Sequence, residues 1–168
     1  MGADGSFHAQ GLMPQHAYWL YARADGWAPS REALAVRPSG ELDRWVLSRV
    51  QSFVAGLRRE FEAYSLDNLV PAWLEMCDEL NNWYIRRGRR RYWRSKGEGS
   101  EQDKQDAYAT LYRVLVTIAH AMAPVLPFFC EWLYQQLVVV PGLAAASEGD
   151  SVHLQRFPEV DESLRDLE

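Results

Sequence analysis

The sequence lacks the residue patterns that metal centres and self-contained enzymes require. Its two cysteines, Cys77 and Cys130, have no second cysteine or histidine at zinc-ligand spacing, so we expect no metal site. Two thiols among apolar residues favour buried free cysteines in a reducing compartment over a disulfide framework. The eleven glycines fit no phosphate-binding loop. A free-standing enzyme is therefore the least favoured interpretation.

Acid–base candidates are also few. The four histidines are scattered and suggest no nucleophile–base pair. We expect His120, on an apolar helix face, and His153, between Val152 and Leu154, to have structural roles. Glu131 follows Pro127 by four residues, and we expect a paired structural carboxylate there rather than a general acid.

No apolar run is long enough to span a bilayer. The longest candidate, residues 115–137, is interrupted by His120, Pro124, Pro127 and Glu131. The first residues show no basic start followed by an apolar stretch, as a signal peptide would. The sequence therefore predicts a cytoplasmic protein with no membrane partner.

The apolar residues that are present indicate a folded all-α domain. Hydrophobic residues make up 48% of the 168-residue chain, with seven Trp and eight Tyr. Three-to-four spacing predicts a helix from an N-cap at Ser39 to about Tyr64, and a second helix that starts near Ser65 or Asp67 with Pro71 in its first turn. A further helix starts at Glu101, is interrupted at residues 123–127, and resumes to residue 138. The pattern predicts an antiparallel bundle of four to five helices.

The rest of the chain divides into shorter segments. We interpret residues 1–16 as a loose tail or a segment added for expression, and residues 17–38 as a lead-in segment and connector. Residues 39–168 form the helical domain, within which residues 151–158 read as an extended, strand-like segment.

Positive charge is concentrated in one place although the formal net charge is -5. Residues 80–96 contain no acid and seven cations: Arg86, Arg87, Arg89, Arg90, Arg91, Arg94 and Lys96. Guanidinium groups match phosphate oxygens, and the aromatic rings among them could stack unpaired RNA bases. The alternative is that the arginines pair with carboxylates elsewhere in the chain while Trp83 and Trp93 belong to the core.

Five segments carry a resemblance to a known family. ELNNWYIRRGRRRYW (residues 79–93) resembles the NWYIRRSRRRFW-type motif of isoleucyl-tRNA synthetases, with Gly88 where the family usually has Ser. LDRWVLSRV (42–50), MAPVLPFFCEWLYQQL (122–137), SVHLQRFPEVDE (151–162) and YARADGWAP (21–29) are similar to other segments of the same enzymes, in the same order. Together they cover about residues 17–162.

The resemblance implies a class Ia anticodon-binding helical domain. The parent enzyme would join isoleucine to its tRNA at the expense of ATP, for protein biosynthesis. The HIGH and KMSKS motifs of the catalytic fold are absent from these residues. We therefore expect this fragment to be non-catalytic and to hold no cofactor, since ATP and Mg²⁺ belong to the parent's catalytic domain.

The expected partners are the anticodon stem-loop of tRNA(Ile) and the remaining domains of the parent synthetase. From the chemistry of the cluster, the predicted tRNA-binding residues are Trp83, Arg86, Arg87, Arg90, Arg91, Trp93 and Arg94. Two alternatives remain open: a docking domain whose arginine-rich helix packs on the catalytic domain, and the equivalent domain of a valyl-type synthetase.

Overall fold

The computed structural model describes residues 40–93, 101–143 and 149–165, and all regular secondary structure within these ranges is helical. The five α-helices are α1 (Glu41–Glu62), α2 (Leu69–Asp78), α3 (Arg86–Tyr92), α4 (Glu101–Met122) and α5 (Pro127–Tyr134). A π-helical segment, Glu79–Ile85, joins α2 to α3, and a second, Gln135–Val139, extends α5. The prediction of an all-α bundle is confirmed. The interpretations of residues 1–16 and 17–38 lie outside the described residues.

Helix α1 starts one residue later than its predicted cap allows. Gly40, in an extended conformation, occupies the N-cap position, so the prediction of Ser39 as the cap is wrong. Glu41 and Asp43 lie in the first turn, where the helix dipole favours acids. The helix ends at Glu62, and Tyr64 then takes a left-handed conformation with φ 55°.

Proline positions set the bounds of the other helices. Pro71 is the third residue of α2, where an amide has no partner inside the helix. Pro127 is the first residue of α5, after a turn that ends α4 at Met122. Both positions agree with the sequence-based expectation.

The core lies between α1, α4 and α5, and α2 packs against α1. Its fully buried side chains include residues from all three helices: Val46, Leu47, Val50, Val54, Leu57, Val114, Ile118, Met122, Leu133 and Tyr134. Cys130 is buried and Cys77 is partly buried, both as free thiols, and burial raises the pKa of each to about 11.

Residues 149–165 run back across the bundle and close it. The predicted strand at residues 151–158 is wrong, because Val152–Leu154 form a 3₁₀ turn. Glu131 holds that turn by accepting hydrogen bonds from Ser151 Oγ and the Val152 amide, each 2.9 Å long. Further along, Arg58 donates to the Pro158 carbonyl at 2.9 Å.

Glu131 therefore has the structural role that its position in the sequence suggested. It also accepts a bond from Gln135 Nε2 at 2.9 Å. Burial by itself would raise the pKa of this carboxyl, but the bonds from Gln135, Ser151 and Val152 outweigh burial and lower it. His120, the other polar residue expected in the core, packs its ring beside Tyr134 at a centroid distance of 5.5 Å.

Candidate nucleic-acid interface

The π-helical segment Glu79–Ile85 determines which side chains of α3 face outward. Leu80, Tyr84, Gly88 and Tyr92 are all buried, at a constant spacing of four residues. An ordinary α-helix repeats every 3.6 residues, so a spacing of four would drift away from the core. The wider π turns absorb this drift. As a result Trp83, expected from its spacing to continue the apolar stripe, points outward.

Arg91 lies on the inner side of α3, where it joins three helices. Its guanidinium donates two bonds to the Asp43 carboxylate, at 2.7 and 2.8 Å, and contacts Asp103 Oδ1 at 2.9 Å. The Tyr84 hydroxyl donates to the same Asp43 carboxylate at 2.9 Å. Asp43 is fully buried, and hydrogen bonding to it raises the pKa of Arg91 above its ordinary value. Arg91 thus fixes α3 against α1 and α4.

Gly88 lies on the buried side of α3, beside Tyr92 of the same helix and Leu42 of α1. A Cβ atom there would lie 3.2 Å from Tyr92 Cε2 and 3.9 Å from Leu42 Cδ2. The Tyr92 ring is itself enclosed by Tyr84 and Tyr108. A larger residue at position 88 would have to displace that ring slightly, which accounts for a small residue on this side of the helix.

The outer side of α3 carries four exposed arginines: Arg86, Arg87, Arg89 and Arg90. Across the part of the chain that the structure describes, none of the four forms an ion pair with a carboxylate. Arg86 and Arg90 are four residues apart, so their like charges repel by a few tenths of a kcal/mol. This surface therefore has a net positive charge that the described residues leave uncompensated.

Two exposed tryptophans flank these arginines, and each carries a guanidinium over its ring. The Arg87 guanidinium lies 5.1 Å from the Trp83 ring centroid, and Arg89 lies 5.5 Å from that of Trp93. The side chains of Trp83 and Trp93 are 52% and 63% exposed, so neither belongs to the core. Arg89 was absent from the predicted site, although its position four residues before Trp93 could have indicated the contact.

The structure thus brings most of the predicted residues onto one surface, which we call the arginine face: Trp83, Arg86, Arg87, Arg89, Arg90 and Trp93. Arg91 is the exception, because its guanidinium turns away from this face toward Asp43 and Asp103. Arg94 lies outside the described residues. No cluster of metal ligands and no membrane-crossing helix occurs in the described ranges.

Comparison with known proteins identifies the class of protein to which this fold belongs. Residues 43–168 match the family model for the anticodon-binding domain of tRNA ligases. The chain belongs to this family.

The curated relatives described here are all isoleucine–tRNA ligases. The chain is 37% identical over 158 residues to an isoleucine–tRNA ligase of Treponema denticola, a match covering 94% of this chain and 13% of that protein. It is 40% identical over 144 residues to that of Bdellovibrio bacteriovorus, covering 86% of this chain and 13% of the relative. The isoleucine–tRNA ligase of Thermoplasma acidophilum is 40% identical over 125 residues, which is 74% of this chain and 11% of the relative. The chain thus spans about an eighth of the length of these proteins.

Proposed function

We propose that the arginine face binds the anticodon stem-loop of an isoleucine tRNA and positions that tRNA for aminoacylation. The observation that carries the proposal is a set of four exposed arginines that have no carboxylate partner among the described residues and lie beside two exposed tryptophans. Guanidinium forks bind phosphate oxygens in pairs of parallel hydrogen bonds. A face that an acidic chain leaves positively charged suits a polyanion, because local potential steers a charged ligand more than net charge does.

Each predicted residue has a distinct role in this proposal. Arg86, Arg87 and Arg90 contact RNA phosphates, and Arg94 remains in this set on the basis of its sequence. Trp83 and Trp93 stack unpaired bases. Arg91 does not contact RNA in this proposal. It holds α3 in place from the inner side and so positions the other arginines.

The aminoacylation reaction belongs, in this proposal, to a longer parent protein. Relatives named isoleucine–tRNA ligases support isoleucine as the amino acid, ahead of the valyl-type alternative. ATP and Mg²⁺ would bind to a catalytic domain outside these residues, and the remaining domains of the synthetase would be partners. The parent would act in the cytoplasm.

A salt titration tests the phosphate contacts directly. We would measure binding of the isoleucine anticodon stem-loop to the chain and to the double variant Arg86→Ala/Arg90→Ala, at several salt concentrations. Each lost phosphate contact should reduce the slope of log affinity against log salt by about 0.7 to 0.9, so the double variant should lose about 1.5. Its affinity at low salt should fall roughly 10- to 100-fold.

Arg59→Ala is the matched control, because Arg59 is 77% exposed and lies at the far end of α1. It should leave both affinity and slope unchanged. A slope reduced by about 0.7 to 0.9 in Arg59→Ala, the same change per arginine removed, would show general electrostatic attraction rather than a site. No binding of the unmodified chain at low salt would contradict the proposal and favour the docking alternative. A non-cognate stem-loop reports whether the domain alone selects isoleucine tRNA.

A further inference from the structure

We infer that the arginine face contains two separate subsites for unpaired bases, Trp83 with Arg87 and Trp93 with Arg89, joined by a phosphate-binding ridge of Arg86 and Arg90. The inference rests on the proposed function and deepens it. It specifies the ligand as looped or single-stranded RNA with at least two unpaired bases, and it adds Arg89 to the binding residues.

The two tryptophans have the same local arrangement, which points to a common use. In each pair the guanidinium lies over the ring, at 5.1 Å for Arg87 on Trp83 and 5.5 Å for Arg89 on Trp93. Each pair is four residues apart along the helix, one with the arginine after the tryptophan and one with it before. More than half of each tryptophan remains exposed with the arginine in place, so indole surface is left for a second flat partner.

An arginine-covered indole suits a base of RNA better than it suits a protein surface. Nucleic-acid bases stack on aromatic side chains, and the arginine adds a cation that a neighbouring phosphate can bind. The guanidinium keeps its N–H groups at its edge, where they remain available to phosphate while its flat side covers the ring. Each pair therefore offers a base platform and a phosphate ligand together.

The two subsites favour a loop over a continuous duplex as the ligand, because they need unpaired bases. Trp83 and Trp93 are ten residues apart, or about 15 Å along a helical axis. At 3.6 residues per turn, Arg86 and Arg90 fall between the two pairs on the helix surface. Bases inside a double helix are stacked and paired, so they have no free face for either indole. A loop can turn one base to each platform while its backbone crosses the ridge.

The test compares three RNA probes: an isoleucine anticodon stem-loop, the same stem-loop with abasic loop nucleotides, and a fully paired duplex. Dissociation constants would be measured for the chain and for Trp83→Ala, Trp93→Ala and Arg89→Ala. Phe128→Ala is the matched control, since Phe128 is an aromatic residue, 90% exposed, on α5. Circular dichroism of each variant would verify that it is folded.

We expect each tryptophan variant to bind the intact stem-loop roughly 5- to 100-fold more weakly, and the abasic stem-loop as the unmodified chain does. The salt slope should stay unchanged, because stacking releases no counterions. Arg89→Ala should weaken binding of the intact loop, and its effect should shrink when Trp93 is already alanine. Phe128→Ala should have no effect.

Two results would contradict the inference in distinguishable ways. If the chain binds intact and abasic loops equally and the tryptophan variants change nothing, the two base subsites do not exist, while the phosphate-binding proposal stands. If the unmodified chain binds none of the probes at low salt, the proposed function fails and the subsites fail with it.

Discussion

At the scale of single residues, the arginine cluster divides into side chains that face solvent and one that faces the core. Arg90 is exposed, whereas the next residue, Arg91, contacts the fully buried Asp43. A carboxylate buried in this way is tolerated only while it is paired, because an isolated buried charge costs several kcal/mol. Substitution of Arg91 should therefore destabilise the fold, whereas substitution of Arg90 should leave its stability almost unchanged.

We predict that Arg91→Ala lowers the free energy of unfolding by about 3 to 5 kcal/mol, because it leaves Asp43 buried without its main partner. Arg90→Ala, one residue away on the same helix, should change it by less than about 0.5 kcal/mol. Urea denaturation followed by circular dichroism measures both. Equal stability of the two variants would contradict the anchoring role of Arg91.

Glu131 gives a second residue-scale prediction, this time in pH dependence. Its hydrogen bonds lower the pKa of the carboxyl from the ordinary value of 4.5, so the folded protein favours the ionised form. A carboxyl with a depressed pKa stabilises the fold above its unfolded pKa and loses that contribution as pH falls.

We therefore expect Glu131→Gln to destabilise the protein by about 1 to 3 kcal/mol at pH 7 and by much less at pH 3. The measured quantity is the difference in unfolding free energy between the two proteins, which cancels the contribution of other carboxyls. A difference that does not change with pH would show that Glu131 acts without its charge. Glu159→Gln, which neutralises an exposed carboxyl of the C-terminal segment, is the control for unrelated acid effects on this segment.

At the scale of elements, the π-helical segment Glu79–Ile85 is the feature that orients the arginine face. A π-helical segment inside an α-helix corresponds to an inserted residue, and here it lies in a helix whose buried residues recur every four positions. Removing one exposed residue, Asn82, should convert these turns to ordinary α-helix and leave the later residues facing as before. Adding one residue after Ile85 should instead rotate α3 by about 100° and move Arg91 away from Asp43.

We predict that deletion of Asn82 keeps the bundle folded, with a loss of no more than about 1 to 2 kcal/mol, part of it from the Asn82–Asp78 hydrogen bond. Insertion of one alanine after Ile85 should cost about 3 to 5 kcal/mol, as the loss of Arg91 would. Thermal unfolding of the two variants decides between them. If the deletion destabilises the protein more than the insertion does, the π turns contribute to stability in some way other than by orienting α3.

Much of this element structure follows from the sequence, and the misses have physical causes. Periodicity and proline positions predict α1, α2, α4 and α5 closely, because these helices bury one regular stripe. The strand expected at residues 151–158 fails because Glu131, distant in sequence, binds the Val152 amide and favours a turn. The alternation of apolar and polar residues within 151–158 contains no information about a partner as distant in sequence as Glu131.

The sequence predicted most residues of the candidate site, but it predicted only some of the directions in which their side chains face. An α-helical repeat puts Trp83 near the apolar stripe and Arg87 and Arg91 on one face, whereas the π turns place Trp83 and Arg87 outside and Arg91 inside. The strict four-residue spacing of Met76, Leu80, Tyr84, Gly88 and Tyr92 was the available signal. Asp43 as a partner for Arg91 could not be inferred, because 48 residues separate them.

At the scale of the whole molecule, the C-terminal segment is the part that closes the bundle. Phe157 packs edge-on against Phe61, with ring centroids 5.8 Å apart. The Asp161 amide donates to the side chain of Gln51 at 2.8 Å, and Gln51 is itself buried. Val152 is almost fully buried. Loss of this segment would expose apolar surface and leave the Gln51 oxygen without this donor.

We predict that a chain ending at Leu143 is less stable than one ending at Arg165 by about 3 kcal/mol or more, from lost burial and hydrogen bonds together. The longer version is the appropriate comparison, since it keeps every contact described above. Thermal unfolding measures the difference. Equal melting temperatures would show that residues 149–165 contribute nothing to stability.

The ion pairs of Arg91 make the position of α3 depend on both earlier and later parts of the chain. Asp43 precedes Arg91 by 48 residues and Asp103 follows it by 12. A nascent chain that has not yet reached residue 103 therefore lacks one of the two carboxylates that hold α3. An isolated peptide of the arginine cluster would lack both, and its like charges would oppose helix formation. The orientation of the arginine face thus depends on contacts with both α1 and α4, and a chain that ends before residue 103 cannot complete them.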